Sequence, residues 1–417
     1  MERYWTMIAV EEAQRIILGS VESIGREHVE LLDGLGRVLA EDVTAPEPIP
    51  PWDNAAMDGY AVRAEDTREA SGDRPVALRL IGTAAAGQIF DGLVERGQAL
   101  RIMTGAPLPR GADAVIRQED TQATDREVFV VYRVSPGHNV RTAGEDIKAG
   151  EKVLPSGTLC RPGVVGLLAA LGRRRVAVYQ RPRVAIVATG DELLRWDEAP
   201  TPGKIHNSNS YALAAQVLQA GGIPVLLGPV ADTKSLLVEH LREGVRADLC
   251  VTSGGVSVGD YDLVAATLRE LGAEIRVRKV NMRPGKPFTF ALLEQKPVFA
   301  LPGNPISCMV TFELFVRPAL RKMQGYCSLL HPEITATAAQ AMVNKDRRPA
   351  YLRVILTQTD AGYTVRLTGD QGSAMLHSMA CADGLAFVPG ETDIPAGRQL
   401  RILLLGDEPV ASPLGTR

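Results

Sequence analysis

Apolar positions along the chain follow three successive patterns. Near the start, Val10, Ala13, Ile16, Ile17 and Val21 recur at helical spacing, with Glu11 and Glu12 in the first turn. Acidic side chains favour a helix N-terminus, so residues 10–24 predict an amphipathic helix. Pro46, Pro48, Pro50 and Pro51 then make a stiff, extended connector. From Met57 to about Gly144, short apolar runs alternate with turn residues. The runs at 76–81, 98–103, 114–117 and 128–134 predict a β-rich module inserted into the first one. A helix over 163–171 and a strand over 176–179 follow.

From Arg183 the pattern changes. Strands over 184–188, 224–230, 249–252 and 274–280 alternate with helices over 210–220, 235–245 and 262–271. Two further apolar runs, 288–292 and 298–300, precede a long helix over 306–324. This alternation predicts a doubly wound α/β domain. Ligands of such sheets lie beyond the carboxyl ends of the strands. The loops expected there are 189–193, 253–262, 281–287 and 301–307. After Pro332 the alternation stops. Short strands over 352–357, 363–367, 385–388 and 399–405 predict a small C-terminal β domain.

Composition narrows the class. A chain of 417 residues is too long for one ordinary core, so two to four domains are expected. A net charge of −3 gives no global basic field, which argues against nucleic acid as main partner. The five cysteines show no C-x-x-C pair and read as buried free thiols, which fits a reducing cytoplasm. Met1 to Val10 lacks the pattern of a secretory signal, and no apolar run approaches a membrane span.

The loops carry the chemistry. Ser253-Gly254-Gly255-Val256-Ser257-Val258-Gly259-Asp260-Tyr261-Asp262 joins a strand to a helix. Glycines let backbone N–H groups come close to an anion, because no Cβ keeps it away. Asp260 and Asp262 attract a cation instead. Donors followed by carboxylates suit a phosphate bound together with a divalent metal. Thr189-Gly190-Asp191-Glu192-Leu193 either places a metal or general base or is a turn with a capping aspartate. In Asn281-Met282-Arg283-Pro284-Gly285-Lys286-Pro287, two prolines frame Gly-Lys. That rigidity suits an oxyanion grip by Arg283 and Lys286; the plain alternative is a solvated turn. Leu301-Pro302-Gly303-Asn304-Pro305-Ile306-Ser307 opens a helix whose free N–H groups can take an anion, although Pro305 is equally a capping signal. The segments 53–60, 101–107 and 144–146 read, by themselves, as polar turns at strand ends. No Walker or dinucleotide fingerprint is present, and no histidines pair at metal spacing.

Together these segments resemble the molybdopterin molybdenumtransferase family, to which the E domain of gephyrin belongs. The resemblance rests on Asp53 to Ala61, Arg101 to Ala106, Arg141 to Ile147, Ala188 to Leu193, Ser253 to Asp262, Arg283 to Pro287 and Leu301 to Pro305, in the family's order. It implies a multidomain α/β and β protein. An N-terminal α+β domain (1–45 and 146–180) would carry an inserted β-rich domain (46–145). A doubly wound α/β domain of the molybdopterin-binding type (181–327) and a small C-terminal β-barrel domain (328–417) would follow. It also implies a reaction, in which molybdate enters adenylyl-molybdopterin with Mg²⁺-dependent release of AMP. The site would be shared across a homodimer.

By the same resemblance, Glu192, Asp260 and Asp262 would hold Mg²⁺. Asp58, Glu192, Asp262 and Lys286 would be the catalytic set, with Asp58 coming from the partner subunit. Thr104, Asp146, Gly254, Gly255, Ser257, Arg283, Pro287, Gly303, Asn304 and Ser307 would bind substrate, joined by Arg348 and Ser373 of the C-terminal domain. Many relatives have aspartate at the position of Asn207, so this site would carry one negative charge less. The adenylyltransferase of the preceding step and the apo-molybdoenzymes would be partners. Tungsten cofactor synthesis on the same fold and a non-catalytic molybdopterin-binding scaffold are the alternatives.

Overall fold

The computed structural model describes residues 6–255 and 263–406. The chain forms two compact units. One comprises Met1–Ala40, Gly157–Arg161 and Arg175–Arg417; the other comprises Glu41–Ser156 and Pro162–Arg174.

A six-stranded sheet dominates the first unit. Its order is Ile223–Val230, Arg183–Thr189, Leu249–Ser253, Lys296–Leu301, Pro287–Leu293, Glu274–Lys279. The first four strands are mutually parallel. The near-continuous apolar runs of Arg183–Thr189, Leu249–Ser253 and Lys296–Leu301 mark strands buried on both faces, while Ile223–Val230 at the edge is largely half-buried or exposed. Alternate side chains point to opposite faces. Val184, Ile186, Leu249, Val251, Phe299 and Leu301 share a core with Leu213 and Val217 of helix Ser208–Gln219 and with helix Val10–Leu18. Ala185, Val187, Cys250, Val298 and Ala300 face Leu237 and Leu241 of helix Lys234–Gly244 and Val264 and Leu268 of helix Leu263–Glu270. Helices therefore cover both faces, as a doubly wound domain requires.

The sheet is nevertheless mixed. Pro287–Leu293 runs antiparallel to both of its neighbours. Only Glu294 and Gln295 separate it from Lys296–Leu301, and both have positive φ, +52° and +62°. A two-residue turn of this kind makes a hairpin, whereas a parallel connection needs a long crossover. Two reversals restore direction, so the turn after Glu274–Lys279 emerges on the same sheet edge as the loops after the parallel strands.

Two helices depart from expectation. The first ends at Leu18, where Gly19 N–H bonds to Arg15 O (2.9 Å) and the Ser20 hydroxyl donates to Ile16 O (2.6 Å). The long helix is α over Pro305–Thr311, π over Phe312–Val316 and α again over Arg317–Met323. Pro318 has no N–H to continue the i→i−4 ladder, which accounts for the irregular turn before it.

The C-terminal strands close into a barrel ordered Glu333–Ala338, Gly362–Leu367, Ala350–Thr359, Gly384–Val388, Gln399–Leu404. Its first strand was not expected. The core residues it contributes, Ala336 and Ala338, are small and give little hydrophobic signal.

The second unit carries its own six-stranded sheet, ordered Ala114–Arg117, Gly59–Val62, Gln98–Ile102, Val76–Ala84, Glu127–Val130, Thr121–Ala123. Gly59 is obligatory there, because a Cβ would lie 1.9 Å from Ile116 O.

Four of the five cysteines are buried, and burial pushes the Cys250 and Cys308 thiols up to about 12. Cys327 is exposed, against the expectation of buried thiols throughout. Among the described residues no helix is long and apolar enough to cross a membrane.

Candidate active site

Three strand exits of the first unit nest against one another, and glycines make this possible. Gly254 has φ +96°, and a Cβ there would fall 2.4 Å from Thr189 O. A Cβ on Gly303 would come to 3.4 Å from Gly254 Cα. Asn209, in the first turn of helix Ser208–Gln219, fastens the loops together. Its amide donates to Ser253 Oγ and to Gly303 O, both at 2.8 Å. The result is a small open cleft of about 60 Å³, lined by Glu192, Leu193, Ile205, His206, Asn209 and Gly254 among others.

Carboxylates crowd one side. Glu192 folds back over Gly190, where a Cβ would lie 2.5 Å from Glu192 Oε2. Asp232 N–H donates to Asp191 Oδ1 (3.0 Å). Asp232 is largely exposed, yet partial desolvation raises its pKa, and the charges of Asp191 and Glu192 raise it further. Among the described residues these carboxylates have no ion pair, although the Lys204 ammonium donates to the Asp191 carbonyl beside them. Asn209 Oδ1 is buried and has no hydrogen-bond partner among the described residues. Such oxygen donors fit a hard divalent cation, which keeps waters and takes few carboxylates. Among the described residues no three His, Cys, Asp or Glu side chains form a closed metal cage. Asn207 serves as a helix cap: its Oδ1 accepts from Ser210 N (3.1 Å) and its amide donates to Ser210 Oγ (2.8 Å).

Cations gather at the other end of the same edge. Gly285 has φ +111°, and a Cβ would meet Thr311 Cγ2 at 2.6 Å. The turn is thereby packed onto the helix that begins at Pro305. The Arg283 backbone pairs with the barrel, since its N–H donates to Pro349 O and its carbonyl accepts from Tyr351 N, each at 2.8 Å. The Arg283 and Lys286 side chains make no hydrogen bond or ion pair among the described residues. Arg348 grips Asp346 with both arms of its fork, Nε to Oδ1 at 2.9 Å and Nη2 to Oδ2 at 2.6 Å. That grip holds the Asp346 carboxyl well below its usual range, and the Arg283 charge adds to the effect.

Arg353 is almost fully buried. It donates to Ser378 Oγ and to the carbonyls of Asp370, Gln371 and Gly372, at 3.0–3.1 Å. These bonds mould the turn that delivers the Ser373 carbonyl to Ile306 N–H (3.1 Å), next to the buried Ser307. Burial lowers the Arg353 pKa to about 10, which leaves it charged at neutral pH.

In the second unit, three further motifs converge. The Thr104 N–H and hydroxyl both donate to Asp58 Oδ1 at 2.7 Å. These bonds, with the nearby Arg101 charge, lower the Asp58 pKa. Gly105 N–H donates to Ala55 O (2.8 Å), Arg141 pairs with Asn54, and Ala143 N–H donates to Asp53 Oδ1 (2.7 Å). Asp146 is exposed on the same segment.

Models of three families match the chain in succession. They are the MoeA N-terminal region (domain I and II) over residues 8–172, the "Probable molybdopterin binding domain" over 185–322, and the MoeA C-terminal region (domain IV) over 335–405. A molybdopterin molybdenumtransferase from a Nostoc species is 39% identical over 96% of this chain and 95% of the relative. One from Bacillus subtilis is 37% identical over 97% and 95%. The chain belongs to the molybdopterin molybdenumtransferase family. A crystal structure of a molybdopterin biosynthesis MoeA protein from Pyrococcus horikoshii superposes with TM-score 0.83 at 31% identity, covering 96% of this chain and 100% of that one.

Within this family frame, the structure brings Glu192, Gly254, Gly255, Gly303 and Asn304 to one sheet edge. Arg283, Lys286, Pro287, Ser307, Arg348 and Ser373 lie around the basic turn and the barrel. Asp58 and Thr104 are in direct contact in the second unit, on the same unit as Asp146. Ser257, Asp260 and Asp262 lie outside the described residues. Sequence reasoning missed Asp232, Asn209 and Arg353. An aspartate two residues past a parallel strand end was the available signal for Asp232. An arginine inside an apolar strand was the signal for Arg353.

Proposed function

We propose that this chain inserts molybdate into adenylyl-molybdopterin with Mg²⁺-dependent release of AMP, giving molybdenum cofactor. Charge sorted along one sheet edge is the observation that carries this reading. Carboxylates at Gly190–Glu192 and Asp232 stand at one end, and at the other Arg283 and Lys286, whose side chains make no hydrogen bond or ion pair among the described residues. A phosphoanhydride bound with a metal suits the first end, and a tetrahedral dianion suits the second.

Glu192, with Asp191 and Asp232 beside it, would hold Mg²⁺, together with Asp260 and Asp262 of the glycine-rich loop. When bound, the ion would neutralise charge on the phosphate oxygens. The backbone N–H of Gly255 would bind phosphate, whereas that of Gly254 already donates to Leu301 O (3.3 Å). Water attacks the adenylyl phosphorus, the bond to the pterin phosphate breaks, and AMP leaves. Arg283, Lys286 and the Ser307 hydroxyl would hold molybdate by charge and hydrogen bonds while the two dithiolene sulfurs displace one oxo ligand, which leaves as water with the two thiol protons. Ser373 and Arg348 border that position.

Asp58, oriented by Thr104, and Asp146 would complete the site from the partner subunit of a homodimer. The adenylyltransferase of the preceding step would supply the substrate, and apo-molybdoenzymes would receive the product.

An AMP-release assay tests the proposal, using adenylyl-molybdopterin and Mg²⁺ with molybdate and tungstate side by side. Molybdate-dependent release is expected. Absence of release with either oxyanion would overturn the reading, and release with tungstate alone would transfer it to tungsten.

A further inference from the structure

The loop over residues 195–204 leaves and rejoins the chain at the cleft. Leu193–Leu194 leads into it and pairs in parallel with Ile205–His206, which leads out. Its ends are pinned to the backbone that carries Glu192. Ile205 N–H donates to Glu192 O (2.8 Å), and Asn207 N–H donates to Leu194 O (2.9 Å). The Lys204 ammonium donates to the Asp191 carbonyl. Within the loop, Arg195 N–H donates to Glu198 Oε2 (2.7 Å), and His206 Nε2 lies 3.0 Å from Glu198 O. The loop therefore has a defined shape.

That shape leaves apolar surface in water. Trp196 is 71% exposed and Ile205 is 60% exposed. A single exposed apolar side chain is ordinary. Here, however, Leu193 and Ile205 line the cleft together with Ala188 and Pro305, and Trp196, just outside that lining, follows Leu193 by three residues. An indole offers a wide, rigid face at low entropic cost, and flat rings stack on such faces with little regard to their hydrogen-bonding edges.

We propose that Trp196, with Leu193 and Ile205, forms an apolar rim on which a flat fused heterocycle of the substrate lies while its phosphates reach the cleft. This rests on the reading above, in which the substrate carries two such rings, adenine and pterin. Both offer the same chemistry, a flat ring tethered to phosphate. Trp196 is thus a binding residue that sets substrate affinity and takes no part in the bond changes.

Its exposure makes the test clean, because Trp196→Ala removes no core contact. Binding of AMP, of a pterin monophosphate and of ribose 5-phosphate is measured by calorimetry for the wild type, Trp196→Ala and Trp196→Phe, alongside AMP release. The alanine variant is expected to lose about tenfold in affinity for the ring that lies on the rim. Phenylalanine should restore most of that loss. Ribose 5-phosphate, which has no ring, should bind all three proteins alike. KM for adenylyl-molybdopterin should rise while kcat stays within about twofold. Loss confined to AMP assigns the rim to adenine; loss confined to the pterin assigns it to pterin. Unchanged affinity for both rings, with AMP release intact, overturns the rim and leaves the function standing. A wild-type protein that neither binds nor releases AMP overturns the function and the rim together.

Discussion

The two ends of the sheet edge treat charge in opposite ways. At Gly190–Glu192 and Asp232, carboxylates stand together; partial desolvation, then the charges of Asp191 and Glu192, raise the Asp232 pKa. At the barrel end, Arg348 is locked to Asp346 and Arg353 is held by backbone carbonyls, yet the Arg283 and Lys286 side chains make no hydrogen bond or ion pair among the described residues. One end stores like charge for a cation. The other neutralises its scaffold and leaves two cations for an anion. Four strand spacings separate the two strands that carry these ends, roughly 19 Å along the sheet. That span suits a long substrate better than a single ion.

The largest expected effect is at the acidic end. Glu192→Gln keeps the shape and removes the charge, so AMP release should fall by about 10²–10³-fold while circular dichroism stays unchanged. Activity near wild type would remove Glu192 from the metal site and break the contrast outright. Lys286→Ala addresses the basic end. The molybdate concentration for half-maximal rate should rise by about tenfold or more, the scale of one charge-assisted hydrogen bond. If the Mg²⁺ requirement shifts instead, the two ends are not functionally separate.

Much of this was legible in sequence because the chemistry sits at strand exits. Gly190 beside Glu192 and the prolines around Gly285-Lys286 are local signals, and the structure gives each a steric reason. Asp232 is far from Asp191 in sequence, and only the parallel pairing of Thr189 with Val230 brings them together. Arg353 was hidden for a different cause. A buried arginine inside an apolar strand looks like an outward-facing residue until the turn at 370–372 supplies its acceptors. The hairpin at Glu294–Gln295 was missed because neither residue is the glycine or asparagine that usually marks a two-residue turn.

Stability should separate the ends as well. The folded-state pKa of Asp346 is depressed, so its contribution is present above the unfolded value near 4 and lost as pH falls through the folded one. Asp346→Asn should therefore lower the neutral-pH stability, by about 1 kcal/mol given the partial exposure of the pair. The deficit should shrink in acid. Equal deficits at pH 7 and pH 3 would mean that the ion pair is not the cause.

Asp232 has the reverse sign and the smallest effect. Its folded-state pKa is raised, so it favours folding only where it is protonated, and that advantage is lost as pH rises from about 4 through the folded value. At neutral pH its charge opposes folding. Asp232→Asn should then raise Tm at pH 7 by no more than about 1–2 °C, with the gain fading below pH 4. Mg²⁺ binds the folded state, so it should stabilise the wild type more than the variant. A variant that loses stability at pH 7, or gains as much from Mg²⁺ as the wild type does, would show that this carboxylate is already satisfied within the fold. The acidic end would then no longer differ in kind from the basic one.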